Sequence, residues 1–325
     1  MGLLAATVAG CGGTPQRSEA DLRDVGLAAV IKGLDNPYFV TMRAGLVTAA
    51  RHDGARLQVA AAPTGLEDTT AQASELESLA ARHPGCYVVN PITQTNLVGA
   101  LARVAGHAPI VNVDSVVDPD AAKAVGVAIT AYVGTDNRAG GRLGADAMAA
   151  LAGPGARIAV VTGIPGDLGS GQRAAGFTQG VRGRFQVVAS TAADFERDKA
   201  RLAAADLLRT DRRIDGFFAV NDVMALGVAD AVTAAGRQGD VKVVGFDGIP
   251  QALTAIERGR LSATVAQYPY TMGQLAIRAC LAALRGDRVP RTVDAPVQVV
   301  THANVARAQA AFPRPVERVE DPFAR

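Results

Sequence analysis

The chain has 325 residues, of which 49% are apolar and 20% charged; this balance supplies full cores for two domains and excludes a disordered chain. A net charge of +2 with no basic run gives no electrostatic footprint for nucleic acid. Past the N-terminus, no stretch reaches the roughly 20 apolar residues of a membrane span.

Residues 1–13 form an apolar run through the small-small-Cys step Val8-Ala9-Gly10-Cys11, and a polar linker follows. This resembles the end of a bacterial lipoprotein signal, with Cys11 as the lipidated residue and the folded part tethered outside the cytoplasmic membrane. The positive n-region of such a signal is absent. A first strand is predicted over 25–31, then a helix over 37–53 with Pro37 at its first position and Gly54 as its stop. Strand 56–61, helix 69–82, strand 86–90, helix 96–105 and strand 110–113 continue the alternation, which predicts a doubly wound parallel sheet. Strand 131–135 leads into a helix that Gly153-Pro154-Gly155 breaks. Strand 157–162, the glycine-rich loop 163–171, a helix carrying Arg173, strand 185–189 and a helix ending near Thr210 start a second half. Two strand–polar pair–helix units then follow at Asn221-Asp222 and Asp247-Gly248. Strand 263–266 ends in Gln267, helix 270–284 stops at Gly286, and 297–301 is the last strand. From Phe312 the tail is proline-rich and charged, and reads as disordered.

The expected architecture is α/β, with two similar doubly wound domains and several short crossings that imply a hinge. The expected lobes are 25–135 with 268–294 and 136–267 with 295–311; residues 1–24 are signal remnant and linker, and 312–325 are tail. Cys86 opens a strand and Cys280 lies on an apolar helix face, so both are expected as buried core thiols. A disulfide between them stays open, because sequence does not show proximity.

Residues just past the predicted strands are Lys32, Asn36, Tyr38, Phe39, Asn90, Asp114, Arg173, Phe195, Asn221, Asp247 and Gln267. Open α/β sheets bind small ligands at that edge. Sugars fit this mixture: their hydroxyls pair with carboxylates, amides and cations, and flat rings cover their C–H faces. Taken singly, Asn36, Asp136 and Asp222 are ordinary N-caps, the aromatics are core, and Arg173 is a solvated helix residue. The functional reading rests on their falling along one edge.

The segments Lys32-Gly33-Leu34-Asp35-Asn36-Pro37-Tyr38-Phe39-Val40, Thr135-Asp136-Asn137, Ala193-Asp194-Phe195, Val220-Asn221-Asp222-Val223-Met224-Ala225-Leu226-Gly227, Val243-Val244-Gly245-Phe246-Asp247-Gly248 and Ala263-Thr264-Val265-Ala266-Gln267-Tyr268-Pro269 together resemble the periplasmic sugar-binding proteins of ABC transporters, in their ribose- and allose-binding branch. The resemblance runs over roughly 25–301. It implies two lobes that close on a sugar and present the closed form to a membrane permease, with no cofactor or metal and a monomeric receptor. By motif position it implies that Asn36 bonds a sugar hydroxyl, that Tyr38 and Phe39 cover one sugar face, and that Phe195 covers the other. Asp114, Arg173, Asn221, Asp247 and Gln267 become the remaining polar contacts. Lys32 is similar to the allose branch; Ser115 stands where ribose binders carry an arginine; Phe246 agrees with the ribose type. The ligand is therefore expected to be a ribose- or allose-like pentose or hexose, with an acyclic polyol as the alternative.

Two other classes compete. A sugar-responsive repressor core shares the fold but needs a helix-turn-helix ahead of residue 25, and none is present. An enzyme lacks support, since G-x-G-x-x-G after the first strand, G-x-x-x-x-G-K-S/T, H-E-x-x-H and G-x-S-x-G are all missing. His52, His83, His107 and His302 show no ligand spacing, which leaves only a cofactor-independent enzyme open.

Overall fold

The computed structural model describes residues 25–63 and 68–324, so Cys11 and its linker lie outside the described residues. The elements follow in chain order as β1 (Gly26–Ile31), α1 (Pro37–His52), β2 (Arg56–Ala61), α2 (Thr69–Ala80), β3 (Cys86–Val89), α3 (Val98–Ala102), β4 (Ile110–Val113), α4 (Pro119–Ala124) and β5 (Ala131–Gly134). The second half adds α5 (Asn137–Leu151), β6 (Arg157–Thr162), α6 (Leu168–Gly180), β7 (Gln186–Ala192), α7 (Arg197–Thr210), β8 (Gly216–Ala219), α8 (Asp222–Ala234), β9 (Lys242–Asp247), α9 (Pro250–Glu257) and β10 (Ala263–Gln267). The chain closes with α10 (Pro269–Arg285), β11 (Thr292–Asp294), β12 (Val297–Thr301) and α11 (Val305–Ala311).

These strands form two sheets, ordered β11-β5-β4-β3-β1-β2 and β12-β10-β9-β8-β6-β7. Every pairing is parallel except β10 with β12. The expected α/β class with two doubly wound sheets is the class observed. β1 shows why such a sheet needs helices on both faces: Leu27, Ala29 and Ile31 enter one apolar cluster, while Ala28 and Val30 enter the other. The chain passes between sheets after β5, after β10 and again between β11 and β12.

Local chemistry sets the helix ends that matter for the site. Asn36 caps α1 by accepting from the Tyr38 backbone N–H at 3.0 Å, with Pro37 at the first turn. Gly286 ends α10 in the left-handed conformation. At the contact between α5 and α6, a Cβ on Gly141 would collide with the Arg173 carbonyl, and one on Gly176 with that of Arg138. The two helices therefore approach closely, which seats Arg173 against the start of α5.

The structure corrects three expectations. Cys86 and Cys280 are not separate thiols: they form a disulfide, with their Cα atoms 5.8 Å apart, that fastens α10 to β3. The tail is not disordered. Residues 312–324 lie against the body, where Arg314 stacks 5.4 Å from the Tyr270 ring, Asp321 pairs with Arg278, and Val316 and Phe323 pack on the core. The helix expected over 96–105 shortens to α3, because the chain turns after Ala102 and takes a positive φ at Gly106.

Candidate functional site

The polar residues at the ends of the strands fall into two networks, one on each sheet. On the first sheet, Asp114 follows β4 with φ of +63°. Its carboxylate accepts from the Tyr38 hydroxyl at 2.9 Å and from Asn90 Nδ2 at 2.8 Å, with the Ser115 hydroxyl at 3.4 Å. Asn90 is completely buried at the end of β3; its Nδ2 also donates to Val113 O, and its Oδ1 faces the Lys32 backbone N–H at 3.4 Å. Lys32 is buried, with its ammonium 5.7 Å from the centre of the Phe39 ring. Tyr38 and Phe39 meet edge to face, their centroids 5.2 Å apart.

On the second sheet, Asp247 ends β9 with φ of +120°. Arg173 NH1 donates to its Oδ1 at 3.2 Å and to Val220 O at 2.9 Å, and Gln267 Nε2 donates to the same Oδ1 at 2.8 Å. Arg173 Nε is held by Asn137 Oδ1 at 2.8 Å, and its guanidinium stacks 4.1 Å from the Phe246 ring. Phe195 has φ of +63° and lies with its ring over Gly163. The Gln267 side-chain oxygen is buried and accepts no hydrogen bond among the described residues.

The two networks face each other. Burial holds the Tyr38 hydroxyl's pKa well above its ordinary value; Asp114 from its own sheet and Asp247 from the other raise it further. Burial pushes the Asp247 carboxyl up to about 6, against the pull of Arg173 and Gln267, and Asp114 adds to the rise. Tyr132 on β5 is likewise raised by burial and by Asp114, while Arg173 across the gap opposes the rise. Asp114, Asp247, Arg173 and Tyr38 therefore share one electrostatic environment. Left-handed backbone at non-glycine residues costs about 1–3 kcal/mol each, and Asp114, Asp194, Phe195 and Asp247 all adopt positive φ at this edge. A pocket lined by Tyr38 from the first network and by Asp247 and Gln267 from the second runs out to Phe312, Pro313 and Arg314 of the tail.

Most residues singled out in the sequence come together here. Asn36 and Asn221 are at strand ends but have capping roles: Asn221 Oδ1 accepts from Met224 N at 2.9 Å. The cap of α8 is thus Asn221 and not Asp222. Asp222 turns inward, where its carboxylate accepts from Gly248 N at 2.6 Å, Ile249 N at 3.0 Å and Thr264 Oγ1 at 2.7 Å. It fixes the turn that aims Asp247. Sequence reasoning gave no site role to Asn137, Tyr132 or Met272, whose sulfur lies 3.5 Å from the Tyr38 hydroxyl. Asn137 had a signal, its place beside Asp136 at the entry to a helix; Tyr132 reads as an ordinary strand aromatic.

Among the described residues no cluster of His, Cys, Asp and Glu suits a metal ion, and no helix is long and apolar enough to cross a membrane.

Two α/β lobes that meet across a polar gap walled by aromatic rings define the two-domain periplasmic-binding-protein fold. A family model described as periplasmic binding protein domain matches residues 27–288. The ribose import binding protein of Bacillus subtilis is 32% identical over 272 residues, 83% of this chain and 85% of that protein. The D-allose-binding periplasmic protein of Escherichia coli is 34% identical over 266 residues, 81% of this chain and 85% of that protein. A solved ABC transporter periplasmic solute-binding protein from Actinobacillus succinogenes with bound D-allose matches with a TM-score of 0.83 and 30% identity, over 87% of this chain and 99% of its own. The chain belongs to the periplasmic binding protein family.

Proposed function

We propose that this protein is an extracytoplasmic receptor that binds a monosaccharide between its lobes and delivers it to an ABC permease, without catalysing a reaction. The observation that carries this reading is the facing of the Asp114 and Asp247 networks, which lie on different sheets: Tyr38, whose hydroxyl donates to Asp114, lines one pocket with Asp247 and Gln267. A charge-assisted hydrogen bond contributes about 1.5–3 kcal/mol, so three or four of them support the roughly 8 kcal/mol of a micromolar complex after ordering costs. The unmet oxygen of Gln267 suits a hydroxyl donor. Relatives named for ribose and allose, and solved neighbours with bound D-allose and D-arabinose, favour a pentose or hexose.

In this reading Lys32, Asn36, Tyr38, Phe39, Asp114 and Ser115 serve from the first lobe. Arg173, Phe195, Asn221, Phe246, Asp247 and Gln267 serve from the second. The lobes are 25–135 with 268–294 and 136–267 with 295–311, and the receptor acts as a monomer. The Cys86–Cys280 disulfide supports an oxidising compartment outside the cytoplasm. Cys11 then carries the lipid that holds the receptor at the membrane. Ser115 favours a second reading for the ligand alone: a short neutral side chain there leaves room for an acyclic polyol.

The test is a thermal-shift panel of pentoses, hexoses, their deoxy forms and polyols on protein from Arg17 onward. One sugar or polyol is expected to raise Tm, and Arg173→Ala is expected to abolish the rise while the variant stays folded. A flat response across the panel contradicts the reading.

A further inference from the structure

We infer that Tyr132 is a positioning residue for the sugar site, working through the backbone of Asp114; this rests on the binding function proposed above. Tyr132 lies on β5 in register with Asn112 of β4 and Thr292 of β11. Its ring leans along its own strand toward the end of β4, and its hydroxyl donates to the Asp114 carbonyl oxygen at 2.7 Å. That carbonyl belongs to the peptide joining Asp114 to Ser115, directly after the left-handed residue. Asp114 N donates to Val133 O at 2.9 Å and so fixes the peptide before it; the Tyr132 bond holds the peptide after it, and the two together set where the Asp114 carboxylate points.

Gly134 makes this path possible. Side chains two residues apart on a strand share a face, so residue 134 stands under the Tyr132 ring. A Cβ at Gly134 would collide with the Tyr132 hydroxyl itself. Tyr132 and Gly134 thus form a pair: the absent side chain of one opens the route that the other uses. The phenol also lies in the field of Asp114, Arg173 and Asp294, which places it at the rim between the networks and not in the apolar core. Through the same peptide it borders Ser115, whose hydroxyl reaches the Asp114 carboxylate only at 3.4 Å. Tyr38 and Asn90 restrain the carboxylate, and Tyr132 restrains the backbone that carries it.

Calorimetric titration and stopped-flow release with D-ribose, D-allose and ribitol test this on wild type, Tyr132→Phe, Asp114→Asn and the double variant, with Tm measured for each. For whichever of these probes binds wild type, Tyr132→Phe is expected to weaken affinity about tenfold, mainly through faster release. In the Asp114→Asn background the same change is expected to cost less than about twofold, because the carboxylate that it positions is gone. Wild-type affinity in Tyr132→Phe, or the same loss in both backgrounds, overturns the inference while leaving the receptor function standing. If wild type binds none of the three, the same titrations use the sugar or polyol that raises Tm in the thermal-shift panel, and a flat panel overturns the functional reading and the inference with it. Should Tyr132→Phe not fold, Gly134→Ala decides: displacing the hydroxyl without removing it is expected to give the same loss, and unchanged affinity overturns the inference.

Discussion

Asp222 is completely buried at the foot of the gap, and hydrogen-bond donors meet its carboxylate where, among the described residues, no ion pair does. Burial, with Asp247 nearby, raises its pKa from 3.8 to about 8, although Thr264 and the two backbone N–H groups oppose the rise. A raised folded-state pKa means that the native protein keeps a proton which the unfolded chain releases. The stability that this contributes is whole below pH 4 and is lost as pH rises through about 6 for Asp247 and about 8 for Asp222. Scanning calorimetry of the ligand-free protein between pH 5 and 9 is therefore expected to show Tm falling toward the alkaline end. Asp222→Asn keeps an acceptor for both backbone N–H groups and removes the titration, so its profile is expected to flatten in the upper range. Parallel profiles for the two proteins contradict this assignment. At this scale the sequence was legible where a polar side chain follows a short apolar strand, as at Asp114, Asp247 and Gln267. It was not legible where a side chain acts sideways through space. Asp222 looks like a helix cap until Gly248 and Thr264 are seen to close around it. Tyr132 looks like one more strand aromatic until its hydroxyl is seen to reach past its own strand.

Strands and helices were read from alternating apolar runs and their breakers, and the order of the elements needed little else. The exceptions have physical causes. β11 spans Thr292–Asp294 and is too short to carry a period. α10 is amphipathic by sequence, but its attachment is not, since Cys280 meets a partner 194 residues earlier in the chain. That bond closes a long loop and clamps α10, which follows the crossing at Gln267, onto the first sheet. Disulfides of this kind contribute about 2–4 kcal/mol. Cys280→Ser is expected to lower the free energy of unfolding in urea by about that much, and wild type in a strong reductant is expected to match it. A variant as stable as oxidised wild type removes the clamp from this account. The close contact of α5 with α6 matters for a different reason: it fixes the backbone of Arg173, so that Asn137 and Phe246 can hold the guanidinium in place before any ligand arrives.

In the whole molecule the proposed site draws complementary groups from the two sheets. Asp114 with Tyr38 and Asn90 offers acceptors and a phenol; Asp247 with Arg173 and Gln267 offers a cation, an amide and a second carboxylate. The tail adds a wall that composition concealed. A proline-rich charged segment reads as solvated, yet Arg314 finds the face of Tyr270 and Asp321 finds Arg278. The two-lobed plan was legible because each lobe repeats the same strand–helix grammar. The facing of the lobes was not, because it depends on distances that no spacing encodes. Titration calorimetry of Asp114→Ala and Asp247→Ala, one change in each lobe, against the sugar that stabilises wild type tests that facing most directly. The account expects both variants to lose at least about tenfold in affinity for that same sugar. If either variant keeps wild-type affinity, the two rims do not form one binding site.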